Sequence, residues 1–180
     1  MGDLLSTIEA SIPKSSIPGP VKEKVEPILK KNGLYLVEEE DGERGFELFT
    51  ELTGSGYSGL VFTRKHPDNL KDIKGLEGIP MAWFSSTPVK GVTCISPLNI
   101  QKMLIMVQSA MTQGERSAVL VYGFEYILTN INFDRALNLL QVMNDRIMTS
   151  ENTIVIFSMD LDILAERDRK LISREFEKVQ

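Results

Sequence analysis

Cysteine occurs once in the 180-residue chain, at Cys94, and histidine once, at His66. A lone cysteine excludes an intrachain disulfide and a cysteine-built zinc site, and it fits a reducing, cytoplasmic setting. A lone histidine, with no serine nucleophile elbow in the sequence, leaves neither a catalytic triad nor a histidine metal pair to assemble. Excess positive charge is missing too: 20 Lys and Arg against 25 Asp and Glu give a formal charge of −5. Nucleic acid is therefore not an expected partner, because phosphate affinity needs clustered cations that release counterions. No run approaches the roughly 18 apolar residues a bilayer requires, and no basic stretch leads into an apolar one at the start, so neither an integral membrane segment nor a leader is expected. Met1 to Ser6 fits the loose N-myristoylation pattern, which is too short to carry an argument. Also absent is any GxxxxGK[ST] segment, the phosphate loop of nucleotide hydrolases.

What is present is a 42% apolar composition, enough for one real core with an appendage at this length. Residues 1–31 read as a helical arm broken by a proline-rich hinge over residues 13–20. Leu4, Leu5, Ile8 and Ile12 share one face of its first piece, which is too short to be stable alone and so is expected to bind a partner or a second copy of the chain. Residues 32–180 read as the main domain. Short apolar runs at Leu34–Val37, Leu60–Thr63, Met81–Ser85, Val119–Tyr122 and Thr153–Phe157 have the character of strands buried on both faces. Helical spacing recurs through Phe46, Phe49 and Leu52, from Ile100 to Met111, from Phe133 to Ile147, and over a charged closing helix from Asp162 to Val179. This alternation predicts an α/β domain of three αβα layers, doubly wound around a mainly parallel five-stranded sheet.

Gly54-Ser55-Gly56-Tyr57-Ser58-Gly59 matches GxGxxG, but the dinucleotide fingerprint must leave a strand and open a helix. Here the run ends a helix and enters a strand, so it is read as a helix stop and turn. Between the first strand and first helix stand Glu38, Glu39, Glu40, Asp41 and Glu43, carboxylates that would repel a triphosphate. The carboxyl ends of the strands, where α/β sheets normally bind ligands, should gather Glu38, Glu39, Arg64, Ser85, Glu125 and Asp160. Magnesium suits such acids, but a solvated acidic loop is the preferred reading, and no cofactor is expected. A phosphoacceptor receiver would need aspartate after the third strand and lysine after the fifth, where Ser85 and Asp160 stand. His66 reads as a turn residue before Pro67, and Glu125 as a hydrogen-bonded carboxylate that fixes the loop before Asn130. Tyr122 occupies the strand end where hydrolases keep a magnesium-binding aspartate.

Tyr35-Leu36-Val37-Glu38-Glu39, the run from Gly56 and Gly59 to Arg64, His66-Pro67, Trp83, and Gly123-Phe124-Glu125-Tyr126-Ile127-Leu128-Thr129-Asn130 followed by Phe133 together resemble the archaeal domain of unknown function 835 family. The resemblance runs from about Leu34 to the C-terminus. It implies a degenerate relative of the RecA and KaiC core, with strand order 2-3-4-1-5 and the phosphate loop lost. Family members usually carry aspartate at the position of Tyr122, which weakens any expectation of hydrolysis further. The expected function is a non-enzymatic regulatory or adaptor domain acting through protein–protein interaction in archaeal signalling, with self-association as a dimer among its options. The alternative is a nucleotide or metabolite sensor at the carboxyl rim, with Arg64, Glu125, Glu38 and Ser85 as anchors.

Overall fold

Ala118-Val119-Leu120-Val121 and Ile154-Val155-Ile156-Phe157 are apolar at every position and almost wholly buried, as strands covered on both faces must be. In the computed structural model, which describes Leu29 and residues 32–179, these two runs lie side by side in the sheet. The arm face of Leu4, Leu5, Ile8 and Ile12 and the hinge over residues 13–20 lie outside the described residues.

The strands are β1 (Gly33–Glu38), β2 (Ser58–Thr63), β3 (Met81–Phe84), β4 (Thr93–Ile95), β5 (Ser117–Tyr122), β6 (Thr153–Met159) and β7 (Glu177–Lys178). The helices are α1 (Glu43–Gly54), α2 (Gln101–Gln113), α3 (Glu125–Asn130), α4 (Phe133–Met148) and α5 (Glu166–Ile172). All the strand pairs are parallel, in the order β4-β3-β2-β5-β6-β1-β7. The α/β class and the parallel sheet are as the sequence predicts, but among the described residues the sheet has seven strands rather than five.

The expected order 2-3-4-1-5 is also wrong. The five anticipated strands correspond to β1, β2, β3, β5 and β6, and β1 does not separate the last two. β5 and β6 pair directly from Ser117↔Thr153 to Tyr122↔Ser158, and β1 pairs with the far side of β6. The connection from β1 to β2 therefore crosses two strands, and α1 rests on β6, β5 and β2 as it does so. The expected closing helix from Asp162 to Val179 is likewise cut short. After α5 the chain tightens over Ser173–Glu175, and Phe176 turns inward against Phe157, with ring centroids 5.2 Å apart. That turn delivers Glu177–Lys178 to the edge of β1 as β7.

The sheet separates two apolar layers. On one face α2, α3, α4 and α5 cover a series of rings, Phe62, Phe84, Phe124, Phe157 and Phe176, whose successive centroids lie 5.2–6.5 Å apart. Each fully buried ring contributes about 2 kcal/mol of transfer energy, and the edge-on pairs add to that. The other face carries α1 and the Pro67–Leu70 turn, packed through Phe46, Phe49, Leu52 and Leu70. At the β4 edge Lys102 Nζ donates to the Cys94 carbonyl at 3.1 Å, a cationic cover of the kind that discourages strand addition.

This winding sets the site. The chain leaves β2 through the turn on the α1 face and leaves β5 through α3 and α4 on the opposite face. Neighbouring strands whose connections depart to opposite faces open a crevice at their carboxyl ends, the place where sheets of this class bind ligands. Among the described residues no helix is long and apolar enough to cross a membrane.

Candidate functional site at the carboxyl rim

Two turns at the carboxyl ends of the strands have opposite character. In the first, β1 hands over to α1 through Glu39 to Gly42. The first amides of a helix lack intrahelical partners and present partial positive charge, which makes this position a natural anion site. Here it is filled from within. Glu39 Oε2 accepts the Arg44 amide at 2.9 Å, and Oε1 accepts the Gly45 amide at 2.8 Å and the buried Ser158 hydroxyl at 2.7 Å. A side chain on Gly45 would collide with both: its Cβ would lie 2.6 Å from Ser158 Cβ and 3.0 Å from Glu39 Oε1.

Tyr122 closes the same turn from above. Gly42, at φ 86°, has no room for a Cβ, which would lie 2.5 Å from Tyr122 Cε2, and Phe46 packs on the same ring at 5.5 Å. The residue that replaces the expected aspartate is thus a lid over the first turn.

The second turn lies at the carboxyl ends of β2 and β5, where Arg64 is exposed. Arg64 leaves β2 with its amide bonded to the Tyr122 carbonyl at 3.0 Å. Its Nη1 donates to the Phe84 carbonyl at 2.7 Å, and Trp83 Nε1 returns a bond to the Arg64 carbonyl at 2.9 Å. The guanidinium carbon lies 4.2 Å from the Tyr126 ring centre and 5.9 Å from that of Trp83. Gly123 makes this possible: it sits at φ 80°, and a Cβ there would approach Arg64 Cβ to 2.5 Å. Around the arginine, the Ser86 and Tyr126 hydroxyls are 3.2 Å apart and His66 meets Trp83 edge-on at 4.9 Å, whereas Lys65 Nζ turns to the Tyr122 ring, 5.0 Å from its centre.

The other sequence candidates do not converge on Arg64. Glu38 pairs with Arg169, which also holds Asp162, all three substantially exposed; exposed pairs of this kind stabilise by less than about 1 kcal/mol. Ser85 is buried and closes a local turn by accepting the Thr87 amide at 3.1 Å. Glu125 accepts the Asp160 amide at 2.6 Å across the end of β6 and makes no ion pair with Arg64. Burial pushes its carboxyl above the ordinary value; the backbone bonds from Asp160 and from its own amide oppose that, and the Asp160 charge reinforces it.

The resemblance motifs shape turns. Gly56 lies in the α1–β2 turn, and Gly59 in β2 passes beneath Phe49 of α1. Pro67 opens a single turn capped by His66 Nδ1, which accepts the Asp68 amide at 3.2 Å. Asn130 Nδ2 bonds back to the Tyr126 carbonyl at 2.7 Å, and Phe133 begins α4 against the ring-lined layer. No group of three or more His, Cys, Asp or Glu suited to a metal is found among the described residues.

Sequence reasoning placed Glu39 at the rim but missed that it caps α1; an acid at a strand end six residues ahead of a helical glycine was the available signal. The pairing of Lys65 with Tyr122 and of Ser86 with Tyr126 had no local signal, since the partners are distant in sequence.

A family profile described as "Protein of unknown function (DUF835)" matches residues 38–176. Among solved structures, one from a structural project on Pyrococcus horikoshii OT3 is similar over 85% of this chain and 84% of its own, with a TM-score of 0.58 and 14% identity. At that identity the likeness speaks to the fold. No curated protein matches the chain.

Proposed function

From membership of the domain of unknown function 835 family, established by a match over most of the chain, no chemistry follows, and we propose from the geometry that this is a non-enzymatic regulatory or adaptor domain acting through protein–protein contacts. The observation that carries the reading is the Glu39 carboxylate seated on the Arg44 and Gly45 amides. An internal anion on the first βα turn competes with any phosphate for the same donors, and bringing a second negative charge beside it is unfavourable. Tyr122 adds a ring where a hydrolase needs a magnesium-binding acid. Cytoplasmic signalling is the setting this reading implies. Kinship with the RecA and KaiC core enters only as a shared layer architecture, because the strand order differs.

The test is calorimetric titration with ATP, ADP and GTP, with and without magnesium, alongside a turnover assay. The reading expects no turnover and no nucleotide heat from the first turn unless Glu39 is removed. Turnover that disappears in Glu125→Gln would overturn it. A second reading, a metabolite sensor at the carboxyl rim, is supported by Arg64 held between aromatic rings at the β2–β5 crevice. A thermal-shift screen checks that one, since a ligand that binds the native state raises the melting temperature by mass action.

A further inference from the structure

We infer that the β2–β5 crevice binds a small molecule through an oxyanion, phosphate or carboxylate, seated on the Arg64 guanidinium. This rests on the second reading above and names the group that such a ligand must carry.

Three features of the crevice point the same way. First, the guanidinium is held before any ligand arrives. Stacking on Tyr126 at 4.2 Å and the bond from Nη1 to the Phe84 carbonyl at 2.7 Å fix its plane, so little rotamer entropy is left to lose on binding. Second, its charge is unspent. The Phe84 bond takes one of five N–H donors, and Arg64 has no carboxylate partner among the described residues, unlike Arg44 with Glu47 or Arg169 with Glu38 and Asp162. A planar fork with free donors matches the paired oxygens of phosphate or carboxylate. Third, the surroundings supply further donors and no buried acid aimed at the guanidinium. The Ser86 and Tyr126 hydroxyls lie together at 3.2 Å, at the end of the ring on which the guanidinium stacks. Glu125, the nearest acid in sequence to Tyr126, is turned to the Asp160 amide instead. In a chain of net charge −5, a cation at the carboxyl ends of the strands that no acid neutralises among the described residues is what a selective anion seat requires.

Trp83, the chain's single tryptophan, lies against Arg64 and His66, so its fluorescence reports on this crevice alone. The experiment titrates the purified chain with pyrophosphate in one arm and citrate in the other, at matched ionic strength with chloride as the control. The expected result is a saturable change in Trp83 emission with one of the two anions. That response should weaken about tenfold or more in Arg64→Lys, which keeps the charge and loses the fork. Circular dichroism confirms the fold of the variant, and Tyr126→Leu, which removes the stacking platform, serves as a second variant expected to weaken the same response. No saturable change with either anion, or an equal response in both variants, overturns the assignment. A parallel thermal-shift panel of nucleotides and metabolites separates the two levels. A shift that survives Arg64→Lys with Trp83 silent rejects Arg64 as the seat while keeping a ligand sensor; a flat panel together with silent Trp83 rejects both.

Discussion

The two turns at the carboxyl rim use the same raw materials to opposite ends. At the β1–α1 turn a helix N-terminus, the usual receiver of anions, is occupied by the carboxylate of Glu39 and roofed by Tyr122. At the β2–β5 crevice a cation is clamped by aromatic rings and a carbonyl, and most of its donors are left open. A site can thus be closed by its own side chains without losing its backbone geometry. The place to look for binding is where a charge is held but not neutralised.

The comparison can be broken from either side. The largest effect is expected for Gly123→Ala, which places a Cβ against Arg64 and forces a side chain into positive φ. A loss of about 3 kcal/mol in urea denaturation is expected, with altered Trp83 emission; a stability change near zero would mean the crevice backbone is not constrained as described. Next, Glu39→Ala strands the Arg44 and Gly45 amides and the buried Ser158 hydroxyl, costing about 2 kcal/mol. The same variant frees the helix N-terminus, so the melting temperature should rise on adding phosphate by more than it does in the wild type. Arg64→Lys gives a smaller loss, about 1 kcal/mol, since one bond and a stacking contact go. Loss comparable to that of Gly123→Ala would make Arg64 a structural staple first.

The smallest effect is a pH dependence. Burial raises the Glu125 carboxyl pKa in the folded chain, so the group's contribution to stability is fully present below the ordinary glutamate value and is lost as pH rises through the folded value. Glu125→Gln keeps an acceptor for the Asp160 amide and removes this loss. The stability of the variant relative to wild type should therefore rise from acid toward neutral pH, as read from urea midpoints; parallel profiles would refute the assignment.

Much of the layer architecture was legible because strands buried on both faces must be apolar throughout, as β5 and β6 are. β4 and β7 were not, since three residues and two residues carry no periodicity, and Glu177–Lys178 owes its pairing to the turn made at Phe176. Strand order was illegible for a further reason: which edge β1 joins depends on α1 crossing β6 and β5, a non-local packing choice. At the site, Arg64 and the glycine of Gly123-Phe124 stood out in sequence. Their mutual fit did not, because 2.5 Å between Arg64 Cβ and a hypothetical Cβ on Gly123 is a property of two strands brought together.

The most direct test of the closed first turn is amide hydrogen exchange at Arg44 and Gly45, with and without magnesium and ATP. If Glu39 fills this site, both amides are protected in the free protein and their exchange does not change with nucleotide. Unprotected amides that become protected when nucleotide is added would show an open phosphate site and contradict the account.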